Sequence, residues 1–417
     1  MAKQNIFVLL RTIKGPAFAG LLTVLFYFVI SICGTDVKAN ELNKYFYLDT
    51  LLFLPKEFVD YDKILVKTHK DKIFLLYNEV VFKNDSNLIM LYDVLEQKFL
   101  SLLLPNNVIS YFNVRDFDLN ENNLFLLFYN GILHYQKKFE NFEFNEIIKI
   151  HSVANNFGYI RLENDSLHLF EGPINLAQFD KLTTTLVSIN TKDYSESVKE
   201  FIEPKNNYFL LFQPRKCFDY INQKFLVSEI TQYKFYIYSF LKNRIDTIIR
   251  FPKDWVPLSS EDSNKIIVFK KNLNNNYVKN FIDFLRTFVL KISTIHKVYF
   301  LNDSTILVYW SKPPRNPKAN FYDFQIDIFK LVQEQWIPIA QSLPNKCDED
   351  EPISEIVIIN NNFYVSGNKI YCIEPIPFNI KELPFSKMSY KKFKKKVEEY
   401  YSNNDIQLSL LIFKLRQ

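Results

Sequence analysis

Glycine is scarce, with 7 residues in 417. A collagen period is therefore excluded, and no glycine-rich phosphate loop, dinucleotide fingerprint or Gly-x-Ser-x-Gly elbow occurs. Cysteine is rarer still: Cys33, Cys217, Cys347 and Cys372 stand far apart, which excludes a disulfide scaffold and any CxxC zinc or redox motif. The five histidines, His69, His134, His151, His168 and His296, form no HExxH and no pair at metal-ligand spacing. Positive charge is missing where a nucleic-acid reader would need it. The net +5 comes from the ends, with +3 in residues 1–39, +5 in 387–417 and −3 across 40–386. Nucleic-acid binding needs a cationic surface to displace phosphate counterions, so no nucleic-acid partner is expected. No catalytic residue, cofactor or metal site is assigned from the sequence.

What the chain does have is apolar mass. Hydrophobic residues make up 48% and aromatics 17%, with 41 Phe and 25 Tyr, enough to build a large core and to exclude wholesale disorder. Length alone suggests two or three domains of about 150 residues, although an all-β propeller breaks that rule as one unit.

Residues 1–16 carry Lys3, Arg11 and Lys14 and no acid, and residues 17–32 then run without a charge. Sixteen helical residues span about 24 Å, short of a hydrocarbon core of roughly 30 Å. A basic start before a short apolar run is the pattern of an export signal. Three outcomes stay open. Val37-Lys38-Ala39 suits cleavage before Asn40; Ile30-Ser31-Ile32-Cys33 resembles a lipobox, with Cys33 as the lipid attachment residue; and an uncleaved anchor would attach the protein to a membrane through its N-terminus. Residues 1–39 are thus expected to be a signal peptide or anchor, and the body to lie outside the cytoplasm, in the periplasm, on the outer membrane or at the cell surface.

From residue 40 to 386 short apolar or alternating runs are broken by Asn, Asp, Lys and Pro. Ile64–Val66, Ile73–Tyr77, Leu88–Tyr92 and Phe99–Leu103 make one set of four, and Val114–Leu119, Leu124–Tyr129, Ile132–Tyr135 and Phe144–Ile150 the next. Runs of this length, rich in β-branched and aromatic residues, fit strands, and four per 40–50 residues is a propeller rhythm. Less regular sets follow around 158–190, 207–250 and 265–339. A short last set, 355–359 with 362–371, could be completed by Tyr45–Leu48, closing the ring and removing two exposed edges. Tight hairpins usually need positive φ, and with so little Gly the 41 Asn residues are the expected turn formers.

Ile306-Leu307-Val308-Tyr309-Trp310, then Pro313-Pro314, then Tyr322 to Phe329 with its Ile326-Asp327-Ile328-Phe329, resemble a blade of the exported six-bladed β-propeller proteins common in Bacteroidetes. Asn362-Phe363-Tyr364-Val365 and Lys369-Ile370-Tyr371 are similar to that family's last blade. The resemblance implies an all-β propeller, six blades of mostly four antiparallel strands, and export rather than a particular chemistry.

Two stretches invite a chemical role. Asp116-Phe117-Asp118-Leu119-Asn120 opens like a calcium loop, but Glu121 and Leu127 stand where Gly and a bidentate Glu are needed. The alternation fits a strand whose aspartate face is wet. Cys347-Asp348-Glu349-Asp350-Glu351 gathers four carboxylates beside a thiol and is expected to be a solvated loop. In 387–417, Phe393, Val397 and Tyr400 make one apolar stripe on a basic helix, followed by a final strand or buried anchor at Leu408–Phe413. The expected function is binding, of an unknown protein or glycan partner, by an exported or tethered propeller. The alternatives are a carbohydrate-active hydrolase or lyase with carboxylates lining the channel, and a structural envelope component.

Overall fold

A computed structural model describes residues 41–58, 60, 63–78, 81–83, 86–105, 114–128, 131–150, 157–171, 184–201, 218–250, 252–271, 291–313, 323–344, 359, 363–377, 389, 391–392, 395–396, 399 and 406–416. The proposed signal, Cys33, Cys217, His151 and the Cys347–Glu351 cluster lie outside the described residues.

After a 3-10 turn at Glu41–Lys44 comes strand β1 (Phe46–Phe53). A first sheet follows, of β2 (Ile64–His69), β3 (Lys72–Tyr77), β4 (Val81–Lys83), β5 (Ser86–Asp93) and β6 (Lys98–Leu103). Here β3 and β4 pair in succession with β5, and β6 also pairs with β5. The second sheet is β7 (Asp116–Leu119), β8 (Asn123–Phe128), β9 (Gly131–Lys138) and β10 (Asn141–Ile148). The third is β11 (Phe157–Glu163), β12 (Ser166–Glu171), β13 (Thr184–Asn190) and β14 (Glu196–Phe201). The fourth is β15 (Phe218–Ile221), β16 (Lys224–Ser228), β17 (Lys234–Ser239) and β18 (Arg244–Ile249). Helix α1 (Ser260–Lys271) precedes the fifth, β19 (Thr294–Asn302), β20 (Thr305–Lys312), β21 (Asp323–Val332) and β22 (Gln335–Pro344). Last come β23 (Tyr364–Ser366), β24 (Lys369–Pro377) and β25 (Ile406–Leu415), in a sheet ordered β1-β25-β24-β23. The fold is a six-bladed β-propeller of antiparallel sheets.

Burial follows position within a sheet. The second strands are covered on both faces and read as nearly continuous apolar runs, Ile73 to Tyr77 in β3 and Leu124 to Leu127 in β8. The outer strands β10 and β18 are largely exposed along their length. Among the described residues, gaps between neighbouring sheets of the first five hold hydrophobic clusters. Leu76, Leu91 and Leu102 of the first sheet meet Phe117, Leu126 and Tyr135 of the second; Phe235 and Trp255 pack with Trp310 and Phe329. Each fully buried Leu or Phe contributes about 1.5–3 kcal/mol.

One polar knot sits inside the fifth sheet's packing. Asp327, 2% exposed, accepts from Trp310 Nε1 (3.1 Å), from the Ser342 N–H (2.5 Å) and from the Tyr233 hydroxyl. Burial lifts its carboxyl above the ordinary aspartate range against those three donors.

The described residues form two compact units. One takes residues 62–345 and 364–368, and so holds the first five sheets and β23; the other holds β1, β24 and β25. In the smaller unit the N-terminal strand does join the last sheet, yet its partner is the C-terminal strand. Phe46 faces Leu415 and Phe53 faces Ser409, while Lys369 to Pro377 pair with the other edge of β25. The final strand read at Leu408–Phe413 is thus an interior strand of that sheet. Within the stretch read as a C-terminal helix, Lys391, Lys392, Lys395, Lys396 and Glu399 are helical.

Two expectations need correction. The set read as strands from residue 265 begins as helix α1. Ser259 caps it: its Oγ accepts the Asp262 N–H (3.0 Å) and donates to the Asp262 carboxylate (2.8 Å), and Lys265 pairs with Glu261 one turn on. The Ser-x-x-Asp spacing was the missed signal. Asn also takes only part of the turn work. Asn164, Asn222, Asn243 and Asn368 have positive φ, but so do Lys70, Gln97, Phe139, Gln223, Gln333 and Glu334. Gly131 is required for a different reason, since a Cβ there would lie 2.8 Å from the Ile148 carbonyl oxygen.

Candidate functional site

Within the larger unit the first strands β2, β7, β11, β15, β19 and β23 form a closed ring. Neighbours around it touch in turn, with Tyr159 edge-on to Phe218 (5.4 Å) spanning β11 and β15. Because strands alternate in direction, the turns 70–71, 164–165, 222–223, 303–304 and 367–368 share one end of the ring. Strands leading from one sheet to the next finish at the opposite end.

Polar groups link the first strands to one another. Lys67 of β2 is buried and donates to Asp116 Oδ2 of β7 (2.9 Å) and to the Ile160 carbonyl of β11 (3.3 Å), and its ammonium lies 5.4 Å from the Tyr364 ring centre. The Ile160 N–H donates to the same Asp116 oxygen (3.1 Å), and the Leu162 N–H donates to Asp118 Oδ2 (2.8 Å). Two sheets further on the arrangement recurs: the Phe300 N–H of β19 donates to Asp219 Oδ2 of β15 (2.8 Å). Aspartates on one blade therefore hold the backbone of the next.

These acids are where the alternating Asp-Phe-Asp-Leu pattern misled. Phe117 and Leu119 enter the core between sheets as expected, but Asp116 and Asp118 are each only 5% exposed. Their face is dry because the neighbouring strand supplies N–H donors to it.

Electrostatically, burial opposes a charge on Lys67, but Asp116, Tyr364 and Asp118 outweigh it and hold the amine above the usual lysine range. Burial meanwhile lifts the Asp116 carboxyl, against Lys67 and the Ile160 amide. The two directions favour opposite states of one pair. With Nζ 2.9 Å from an oxygen that also takes an amide N–H, the geometry supports the charged pair.

Arg161 differs. It is half-buried in β11, donates through Nη1 to the Tyr364 hydroxyl (3.0 Å), and lies in the field of Asp118 and Asp219. Among the described residues that is its one hydrogen bond, in a group with five donors. Nothing in the sequence marked it, because its partner Tyr364 lies 203 residues further along the chain.

Among the described residues, the histidines named from the sequence are not brought together. His134 is hydrogen-bonded to Asn123 Oδ1 (2.9 Å) and stacked on Phe125 (4.6 Å), while the nearby Tyr194 hydroxyl donates to Glu146 (2.5 Å). Burial lowers its pKa, and Asn145 Nδ2, 3.2 Å from Nδ1, suits the neutral ring. His296 sits with Ser311 (2.8 Å) and Thr294 (3.2 Å), all three buried. No cluster of three or more metal-ligating side chains occurs among the described residues. Cys372 is buried.

His168 carries a pH consequence. It is 8% exposed, bonded to Ser188 Oγ (2.8 Å) and stacked on Tyr220 (4.2 Å). Burial, with Lys199 nearby, pushes its pKa down to about 4 from 6.5. Between those values the unfolded chain binds more protons, so stability rises with pH. The contribution is complete above about pH 6.5 and lost as pH falls through about 4; it is worth at most about 3 kcal/mol. Urea unfolding across pH 4–7 should show this acid limb in the wild type and a flatter one in His168→Gln. Equal slopes would refute it.

No protein-family model matches the chain, and no curated protein does. Solved structures do. A Bacteroides fragilis protein described as exported shares 12% identity, with a TM-score of 0.52 over 92% of this chain and 98% of that one. A Bacteroides uniformis protein described as a 6-phosphogluconolactonase shares 6%, with a TM-score of 0.38 over 72% and 75%. The propeller domain of the Trilobed protease from Pyrococcus furiosus shares 11%, with a TM-score of 0.37 over 74% and 78%. The first of these likenesses agrees with the propeller fold.

No helix among the described residues is long and apolar enough to cross a membrane.

Proposed function

We propose that this propeller is exported and recognises a ligand on its axis rather than transforming one, with Arg161 anchoring an acidic group of that ligand. The observation that carries the reading is a contrast within the ring. A hydrolase or lyase needs carboxylates free to move protons or attack. Here Asp116, Asp118 and Asp219 each accept a backbone N–H from the next blade, and Asp116 also holds Lys67. Arg161 has donors to spare, and a guanidinium in that position suits bidentate capture of a carboxylate or phosphate. Export is supported by the basic-then-apolar start of the chain and by the likeness to an exported protein.

Thermal shift with phosphate, sulfate, succinate and citrate tests the site. The melting temperature should rise with ligand in the wild type, less in Arg161→Lys and not at all in Arg161→Met. No rise with any of the four, or an equal rise in Arg161→Met, would overturn the axial reading. Mass spectrometry of the protein from its native cells tests export. A mature chain starting at Asn40, a lipid on Cys33 or a retained N-terminus in the membrane fraction would each support it, and a full-length chain in the cytosol would not.

A further inference from the structure

A cleft of about 830 Å³ opens between the first and second blades at the tight-turn end, and Arg161 is not part of its lining. Its apolar lining comes from Phe74, Leu100 and Phe142, each at most 9% exposed, with Leu95 more open at 55%. Across it run bridges between the two blades. Lys70 pairs with Glu121, and Lys98 pairs with Glu140 (2.8 Å). On the first blade, Lys72 is shared by Asp93 (3.1 Å) and Glu96 (3.3 Å).

The bridging side chains are themselves exposed, Glu121 at 63% and Glu140 at 82%. Such surface pairs contribute little to stability and can rearrange around a ligand. Lys137 also lines the cleft and takes part in no ion pair or hydrogen bond through its ammonium among the described residues, although its charge acts on both Glu121 and Glu140. His69 lines the wall too, and its buried Nε2 has no hydrogen-bond partner among the described residues.

Charge decides the class of ligand. Four lysines line the cleft against five carboxylates, so a polyanion would meet the acids and a polycation the lysines. What fits is an uncharged molecule dense in hydroxyls, each able to accept from an ammonium and donate to a carboxylate, with an apolar patch for the exposed Leu95. The volume lies in the range of ligand sites, roughly 300–1,000 Å³. The geometry points to a binding site for a neutral oligosaccharide in this cleft, separate from the axial site.

Isothermal titration with maltohexaose, cellohexaose, xylohexaose and mannohexaose, and with hexagalacturonate as the charged control, tests it. At least one neutral hexasaccharide should bind, with Kd in the range of about 10 μM to 1 mM. Asn122→Trp, which fills the cleft from an exposed turn, should weaken binding at least tenfold, and Lys137→Ala should weaken it severalfold. Arg161→Met should leave it unchanged, which separates this site from the axial one. If Asn122→Trp fails to fold, Lys137→Ala carries the test alone. Failure of all four neutral probes, binding of hexagalacturonate only, or undiminished affinity in the cleft variants would overturn the assignment.

Discussion

Replacing Lys67 by Met should destabilise the protein by about 3–5 kcal/mol, the cost of stranding a buried charge. Asp116 would keep the Ile160 N–H but lose its cation, in a setting where Lys67 and Asp116 side chains are 7% and 8% exposed. Exposed pairs such as Lys138–Glu143, at 58% and 54%, supply the control; Lys138→Met should change stability by no more than about 1 kcal/mol. The double variant Lys67→Met, Asp116→Asn should lose less than the two single losses added together. The Asn side chain can still accept from Ile160, and no charge is left alone. Urea denaturation of the four proteins measures the coupling. Simple additivity, or a Lys67→Met loss below about 1 kcal/mol, would show that the pair does not hold the ring.

Asp327→Ala should be as severe, and for a different reason. Its carboxylate gathers an indole N–H, a phenol and a backbone N–H that reach it from β20, from the turn before β17 and from β22. Ala would leave two buried side-chain donors without acceptors, at about 1–3 kcal/mol each, and the half-buried Ser342 N–H besides. Trp310 and Tyr233 are fully buried, so water cannot easily replace the carboxylate. Asp327→Asn, which keeps one oxygen, should recover part of the loss. Near-UV circular dichroism would report on the indole directly, and a variant with wild-type stability and an unchanged tryptophan signal would contradict the account.

The architecture could be read from the chain because its signal is local. Each set of four runs between residues 64 and 150 became one sheet, since strands buried on both faces need near-continuous apolar sequence and the sequence supplied it at Ile73–Tyr77 and Leu124–Leu127. The site was not legible for the opposite reason. Whether Asp116 meets water or the Ile160 amide depends on a strand 44 residues away. Arg161 faces Tyr364 across 203 residues, and one sequence holds no record of that pairing. Helix α1 was missed although its cap is local, because Ile266 to Phe269 also reads as a strand-length apolar run.

The place of β25 between β24 and β1 bears on how the protein is made. Phe46–Phe53 emerges early from the ribosome, but its partner begins at Ile406, 353 residues after Phe53. At 5–20 residues per second, an apolar segment waits about 20–70 s with its edge unsatisfied. The sheet therefore cannot be completed until the segments of the first five sheets, which lie between β1 and β25, have been made.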